Sequence, residues 1–190
     1  MPYENTTSEE LMRLVAKGDR MAFSCLMERH RKTVYGIVYR YFHSQQDADD
    51  MFQEVFLKIW RSAGSYTPTA KFRTWLYTIT ANQCKGELAL FWHKGVRLVG
   101  TFWGEGQEEW ELQGNPSTEE KVAHDQQTLL VRNAILMLPA KQRLALILNR
   151  FEGLSYKEIA EVMHCSVPTV ESLLFRAKSN LKLMFSSSAW

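Results

Sequence analysis

The sequence predicts an all-α protein built as two small helical domains joined by an extended acidic linker. Three observations carry this. Apolar residues recur at three- and four-residue spacing in successive stretches, the period of one helix face. Ser, Thr and Asp residues stand where those stretches begin, as helix N-caps do. Residues 95–116 break the pattern, holding Gly100, Gly104, Gly106 and Gly114 without a sustained period. A structureless stretch of this length is uncommon inside one compact domain, so it is read as a linker between domains at 1–94 and 117–190.

In chain order, Ser8 is expected to cap a short helix carrying Leu11, Leu14 and Val15, with Gly18 closing it. Asp19 then caps a longer helix with Phe23, Leu26, Met27, Val34, Ile37, Val38 and Tyr41 on its apolar side. A third helix runs from about Asp47 to Ala63, with Met51, Phe52, Val55, Phe56 and Ile59 inward. Pro68 marks a loop at 64–70, and Lys71 opens a fourth helix reaching about Trp92. Beyond the linker, Ser117 and Glu120 have capping-box spacing, and their helix must stop near Leu138 because a residue before proline is disfavoured in helix. Pro139 starts the next, which carries Leu144, Ile147, Leu148 and Phe151 and ends at Gly153.

The last segment is the most specific. Ser155 and Glu158 form a capping box, and Ile159, Ala160, Val162 and Met163 follow on one face. After a break at His164-Cys165, Ser166 caps a second helix whose stripe is Val170, Leu174, Ala177 and Leu181, with Leu173 at its margin. Pro168 is tolerated in that first turn, where amides lack intrahelical partners. Two short helices joined by a tight turn form a helix-turn-helix, which lays its second helix in the major groove; a plain helical hairpin would show the same pattern.

Composition narrows the classes. Of the 21 acidic residues, six fall between Glu105 and Glu120, where none of the 23 basic residues lies. The net charge of +2 therefore conceals a basic body with an acidic belt, which suits a nucleic-acid protein. No apolar run approaches a membrane span, and the polar, acidic stretch 1–10 is not a signal peptide, so a cytoplasmic location is expected. Cys25, Cys84 and Cys165 are widely separated and read as small core residues, with no metal site or cofactor.

Two further segments carry chemistry. On the third helix Asp47, Asp50 and Glu54 stack along one stripe with Asp49 and Gln53 beside it; a basic partner would explain them, as would a solvated face near a helix N-terminus. From Lys71 to Gly100 the charges are Lys71, Arg73, Lys85, Lys94 and Arg97 against Glu87, interleaved with Phe72, Trp75, Tyr77, Phe91 and Trp92 and preceded by Tyr66. Basic side chains follow phosphates and rings stack on unpaired bases, a pairing suited to single-stranded nucleic acid, although Phe72, Trp75 and Leu76 also fit a core. The Asn82 amide could read a base edge.

These runs resemble a known family. Asp47-Ala48-Asp49-Asp50-Met51-Phe52-Gln53-Glu54-Val55-Phe56 looks like region 2.2 of bacterial sigma factors. Phe72-Arg73-Thr74-Trp75-Leu76-Tyr77 with Ile79 and Asn82 resembles regions 2.3 and 2.4, and Leu154-Ser155-Tyr156-Lys157-Glu158-Ile159-Ala160 through Phe175-Arg176-Ala177 resembles region 4.2. Their order and spacing are similar to the short extracytoplasmic-function (ECF) sigma factors of the sigma-70 family.

The resemblance implies a sigma region 2 domain at 1–94 and a region 4 domain at 117–190, in a transcription initiation factor and not an enzyme. It implies that Asp47, Asp50, Gln53 and Glu54 bind core RNA polymerase. Tyr66, Lys71, Arg73, Trp75 and Asn82 would engage −10 promoter DNA, with Tyr66 and Asn82 at a flipped base. Thr169, Glu171, Ser172, Phe175, Arg176 and Lys178 would engage −35 DNA, although Glu171 and Leu173 stand where relatives commonly carry Lys or Arg. The acidic belt would thread polymerase channels, and an anti-sigma factor, often membrane-anchored, would hold the protein inactive. Two rivals remain at this point. A free-standing helix-turn-helix regulator would leave Asp47 to Asn82 unexplained, and an enzyme acting through His30 or Cys84 lacks a recognisable catalytic spacing.

Overall fold

A computed structural model describes residues 3–67, 71–93 and 118–187. The described residues form α1 (Ser8–Ala16), α2 (Arg20–Phe42), α3 (Gln45–Ser62), a 3-10 turn (Ala63–Ser65), α4 (Phe72–His93), α5 (Thr118–Met137), α6 (Ala140–Arg150), α7 (Tyr156–Met163) and α8 (Val167–Ser187), with no strand among them. The expected linker at 95–116, the capping residue Ser117 and the residues 68–70 lie outside the described ones.

Local chemistry sets the boundaries. The first helix begins one residue earlier than its sequence suggests: Thr7, not Ser8, is the N-cap. The reason is reciprocity. Glu10 lies three residues after Thr7, so the Thr7 hydroxyl accepts from the Glu10 amide (3.2 Å) while the Glu10 carboxylate accepts from the Thr7 amide (2.8 Å). Ser8 is left to meet His30 Nε2 at 2.9 Å. Gly18 turns the chain at φ +87, a backbone state that costs glycine little. Asp19 caps α2 as expected, its Oδ1 accepting from the Met21 and Ala22 amides. His43 closes α2 in the left-handed region, and Ser44 caps α3, which therefore starts before Asp47 and puts that acid in its first turn. One cap is non-local: the Phe72 amide opening α4 donates to Glu9 Oε1 on α1, 2.9 Å away.

In the first unit, α1 to α4 enclose Leu11, Met12, Leu26, Val34, Val55, Phe56, Ile59, Phe72 and Leu76. In the second, Ile135, Leu138, Leu146 and Ala177 join α5, α6 and α8. A further core belongs to both units. Ile37, Tyr41, Met51, Tyr77, Ala81 and Cys84 from the first meet Leu144, Ile147, Leu148, Ile159, Val170 and Leu174 from the second. Along this seam α7 lies on α4 and α6 on α2. Arg143 is buried at the seam beside the Tyr41 ring; it donates to the Tyr41 carbonyl across the seam (2.8 Å) and to the Leu136 and Leu138 carbonyls within its own unit.

Candidate nucleic-acid and polymerase interfaces

The acidic stripe is built by the register of α3. Ala48, Met51, Val55 and Ile59 are buried, which turns Asp49, Asp50, Gln53 and Glu54 outward; Asp47 is half-buried. No ion pair is formed by Asp50 or Glu54 among the described residues, so the carboxylates face solvent and are open to a basic partner.

The aromatic segment behaves differently from its sequence expectation. Tyr66 leaves the 3-10 turn in extended conformation and folds back, its ring 4.9 Å from Trp75 and 6.1 Å from Phe72. A ring read as a stacking surface for a base is thus half-buried, because two large rings on the first turn of α4 provide an apolar surface. Its hydroxyl is buried with no hydrogen-bond partner, and burial raises its pKa. Phe72 is core, Trp75 is half-buried, and Lys71 and Asn82 are exposed. Arg73, expected to meet a phosphate, is exposed but also engaged within the molecule. Its guanidinium donates to the Tyr77 hydroxyl (3.0 Å) and, across the seam, to the Glu152 carbonyl (2.9 Å).

The helix-turn-helix is as expected. Ser155 and Glu158 close the capping box, with the Ser155 amide 2.8 Å from the Glu158 carboxylate, which these bonds hold below the usual carboxylate pKa. His164 makes the turn at φ 53 and Ser166 accepts from the Thr169 amide at 3.4 Å. Val170, Leu174 and Ala177 are buried, so Thr169, Glu171, Ser172, Phe175, Arg176 and Lys178 are all exposed on α8. Phe175 is 73% exposed, far more than a ring placed for packing.

Sequence reasoning missed the seam residues. Glu152, in the turn after α6, is tucked against the first unit: its carboxylate accepts from the Tyr77 hydroxyl (3.1 Å) and lies 3.9 Å from Arg40. Arg40 sits 4.7 Å from the centre of the Phe151 ring. His43, also at the seam, has both ring nitrogens buried without partners, and burial beside Arg132, Arg143 and Arg40 lowers its pKa to about 4. Nothing in residue spacing marks these groups, since each pairs across more than 70 positions or through packing alone.

Comparison with known proteins assigns both units to one family. Residues 26–89 match the family model for sigma-70 region 2, and residues 128–181 that for sigma-70 region 4. The chain is 35% identical over 174 residues to the RNA polymerase sigma-H factor of Pseudomonas aeruginosa, covering 90% of this chain and 89% of that protein. It is 34% identical over 177 residues to the ECF RNA polymerase sigma-E factor of Escherichia coli K12, covering 92% of each. Its fold is shared with CnrH, solved in complex with the cytosolic domain of CnrY, at TM-score 0.67 and 21% identity over 96% of this chain and 99% of that one. The Bartonella quintana sigma factor RpoE, solved with the anti-sigma factor NepR, has TM-score 0.61 and 21% identity over 82% of this chain and 91% of that one. The chain belongs to the sigma-70 family, in its ECF branch of RNA polymerase sigma factors, which are transcription initiation factors and not enzymes.

Proposed function

We propose that this ECF sigma factor divides its work among the three surfaces described, one for polymerase and two for promoter DNA. As a sigma factor it binds core RNA polymerase and directs promoter-specific initiation. The observation that carries the assignment of surfaces is the α3 stripe: Asp50, Gln53 and Glu54 are exposed together, and neither carboxylate forms an ion pair among the described residues. Asp47 extends it at the helix start. A basic face of the polymerase largest subunits is the complementary partner.

In this reading α4 and the loop before it engage the −10 element. Lys71 and Arg73 follow phosphates, and Asn82 reads an edge. An unstacked base replaces the packing of Tyr66 on Trp75 and supplies the partner that the Tyr66 hydroxyl lacks. On α8, Thr169, Glu171, Ser172, Phe175, Arg176 and Lys178 engage the −35 element from the major groove. The domain limits are 1–94 and 117–190, with the acidic stretch between them threading the polymerase. Control falls to an anti-sigma factor, a membrane-anchored one, acting on a cytoplasmic protein. That a solved relative was captured with an anti-sigma factor supports the first part, and no helix of the described residues is long and apolar enough to cross a membrane.

The test is charge reversal. Asp50→Arg with Glu54→Arg adds repulsion as well as removing attraction, and both sites are exposed, so the fold is expected to survive. Pull-down of core polymerase should fall at least tenfold while helical circular dichroism is unchanged. Undiminished capture by the folded double variant would sink the stripe as the docking surface.

A further inference from the structure

We infer that Glu9 of α1 is a positioning residue for the −10 site, pinning the first turn of α4 so that Phe72 and Trp75 hold still while a base displaces Tyr66. The inference rests on the −10 reading above and adds to it a group that acts through α4 and not on the DNA.

That reading requires a pin. A base can exchange with the Tyr66 ring only over a surface that is the same before and after, and such a surface has to be held by a second layer of contacts. Here it is the rings of Phe72 and Trp75, 5.8 Å apart on one turn of α4. α4 has poor means of fixing that turn itself. The Lys71 carbonyl accepts from the Thr74 and Trp75 amides, which puts Lys71 at the cap position, and its ammonium can only donate. The Phe72 amide therefore has no partner within its own helix. Glu9 supplies one from α1. Its Oε1 accepts at 2.9 Å, and this bond is the main cause that holds the Glu9 carboxyl below its ordinary pKa.

α1 braces the Phe72 ring as well as its amide. Ser8 meets His30 Nε2 at 2.9 Å, and the His30 ring lies 5.0 Å from that of Phe72. α1 is itself well fixed: Arg29 donates to the Tyr3 and Thr6 carbonyls just before the Thr7 cap, and Leu11 and Met12 share a core with Ala63 and Phe72. The 3-10 turn that leads into Tyr66 packs on the same helix. Tyr66 is held differently. Its hydroxyl has no hydrogen-bond partner, so the side chain leaves its place without breaking one. The ring that moves is loosely held, and the surface beneath it is tied twice to α1.

The test uses holoenzyme assembled from core polymerase and the full chain, with a promoter that wild-type holoenzyme selects from a randomised duplex pool. Non-template oligonucleotides spanning the −10 element, each with one abasic site, are compared in affinity with the intact strand. Wild type should lose about tenfold where the missing base is the one received, the worth of a base stack. Trp75→Leu, which keeps apolar volume without a ring face, should abolish that loss and so mark the position. Glu9→Ala should reduce the loss at the same position to about threefold or less. Glu9→Gln, whose side-chain carbonyl can still accept from the Phe72 amide, should keep it. In the free chain, exchange of the Phe72 amide followed by NMR should be about tenfold faster in Glu9→Ala and unchanged in Glu9→Gln.

Equal weakening on intact and abasic strands by Glu9→Ala would mean a general structural role and would overturn the positioning. So would a full abasic loss in Glu9→Ala when Trp75→Leu has none, or an unchanged Phe72 exchange rate. Glu9→Gln behaving as Glu9→Ala would show that charge, not the amide bond, is what matters. Failure of the −10 reading looks different: no abasic site costs wild type affinity, or Trp75→Leu leaves the loss intact. Either result would remove the reading and the role of Glu9 with it.

Discussion

Glu171 is the one acidic residue of α8, whose other charged side chains are Arg176, Lys178 and Lys182. It stands exposed on the recognition helix α8 beside Ser172, with Arg176 and Lys178 farther along. A carboxylate near a duplex is repelled by phosphates unless it points into the groove, where it can accept from a cytosine amino group. Glu171→Gln is then expected to relax preference at one base pair of the −35 element, by about 1–3 kcal/mol of discrimination. Arg176→Ala, removing the phosphate contact we propose for that guanidinium, should weaken all sequences alike and reduce the salt slope by about one. Affinity measurements across single-base variants at two salt concentrations separate the two. Uniform tightening of every variant by Glu171→Lys would show that the carboxylate is only a repulsive surface charge. Tyr66 gives the opposite lesson at this scale. Its position in a Pro-containing loop was legible, but its packing on Trp75 was not, because a ring takes whatever apolar surface tertiary structure offers.

Two helices, α1 and α7, start where reciprocal caps close. Ser155 with Glu158 is visible in the sequence and present in the structure; Thr7 with Glu10 has the same spacing and overrides the nearer Ser8. Ser155→Ala should cost about 1 kcal/mol, the usual loss for an N-cap serine, because the Glu158 amide loses its acceptor. Chemical denaturation of the full chain followed by circular dichroism checks this, and an unchanged midpoint would show that solvent replaces the cap at no cost. The acidic stripe of α3 was legible because helix periodicity alone turns it outward. The cap on α4 was not, since Glu9 reaches the Phe72 amide across 63 positions.

Across the whole molecule two histidines tie elements together in neutral form. His30, between α1 and α4, and His43, at the seam, are each brought from 6.5 to about 4, chiefly by burial, with Arg29 acting on the first and Arg132, Arg143 and Arg40 on the second. A histidine held neutral by folding contributes stability that is present above its unfolded pKa and lost as pH falls toward the folded value. The window is therefore pH 6.5 to about 4. Each should remove about 2 kcal/mol between roughly pH 7 and pH 5. Glu152 works with opposite sign, since burial raises its carboxyl pKa and protonation then favours the folded form. Urea unfolding at the two pH values should show a net loss in acid that His43→Gln and His30→Gln each reduce. A pH dependence that both His→Gln substitutions leave unchanged would mean that neither ring is held neutral.

What the sequence determined by itself is what depends on neighbours along the chain. Helix periodicity, caps at fixed spacing, the outward acidic stripe of α3 and the exposed face of α8 all follow from residues within a few turns of one another. Glycine-rich residues 95–116 and the motifs to either side identified two helical units. Tertiary structure alone decided that these units share a core, that Arg73 is bound to Glu152, and that Arg143 is buried under Tyr41. The physical reason is that an apolar helix face states that it must be covered without stating by what. Ile37, Tyr77 and Cys84 could have packed within their own unit, and Leu144, Ile159 and Val170 within theirs. Their mutual burial is a choice among equally apolar surfaces, made by shape and by the polar contacts that ring the seam.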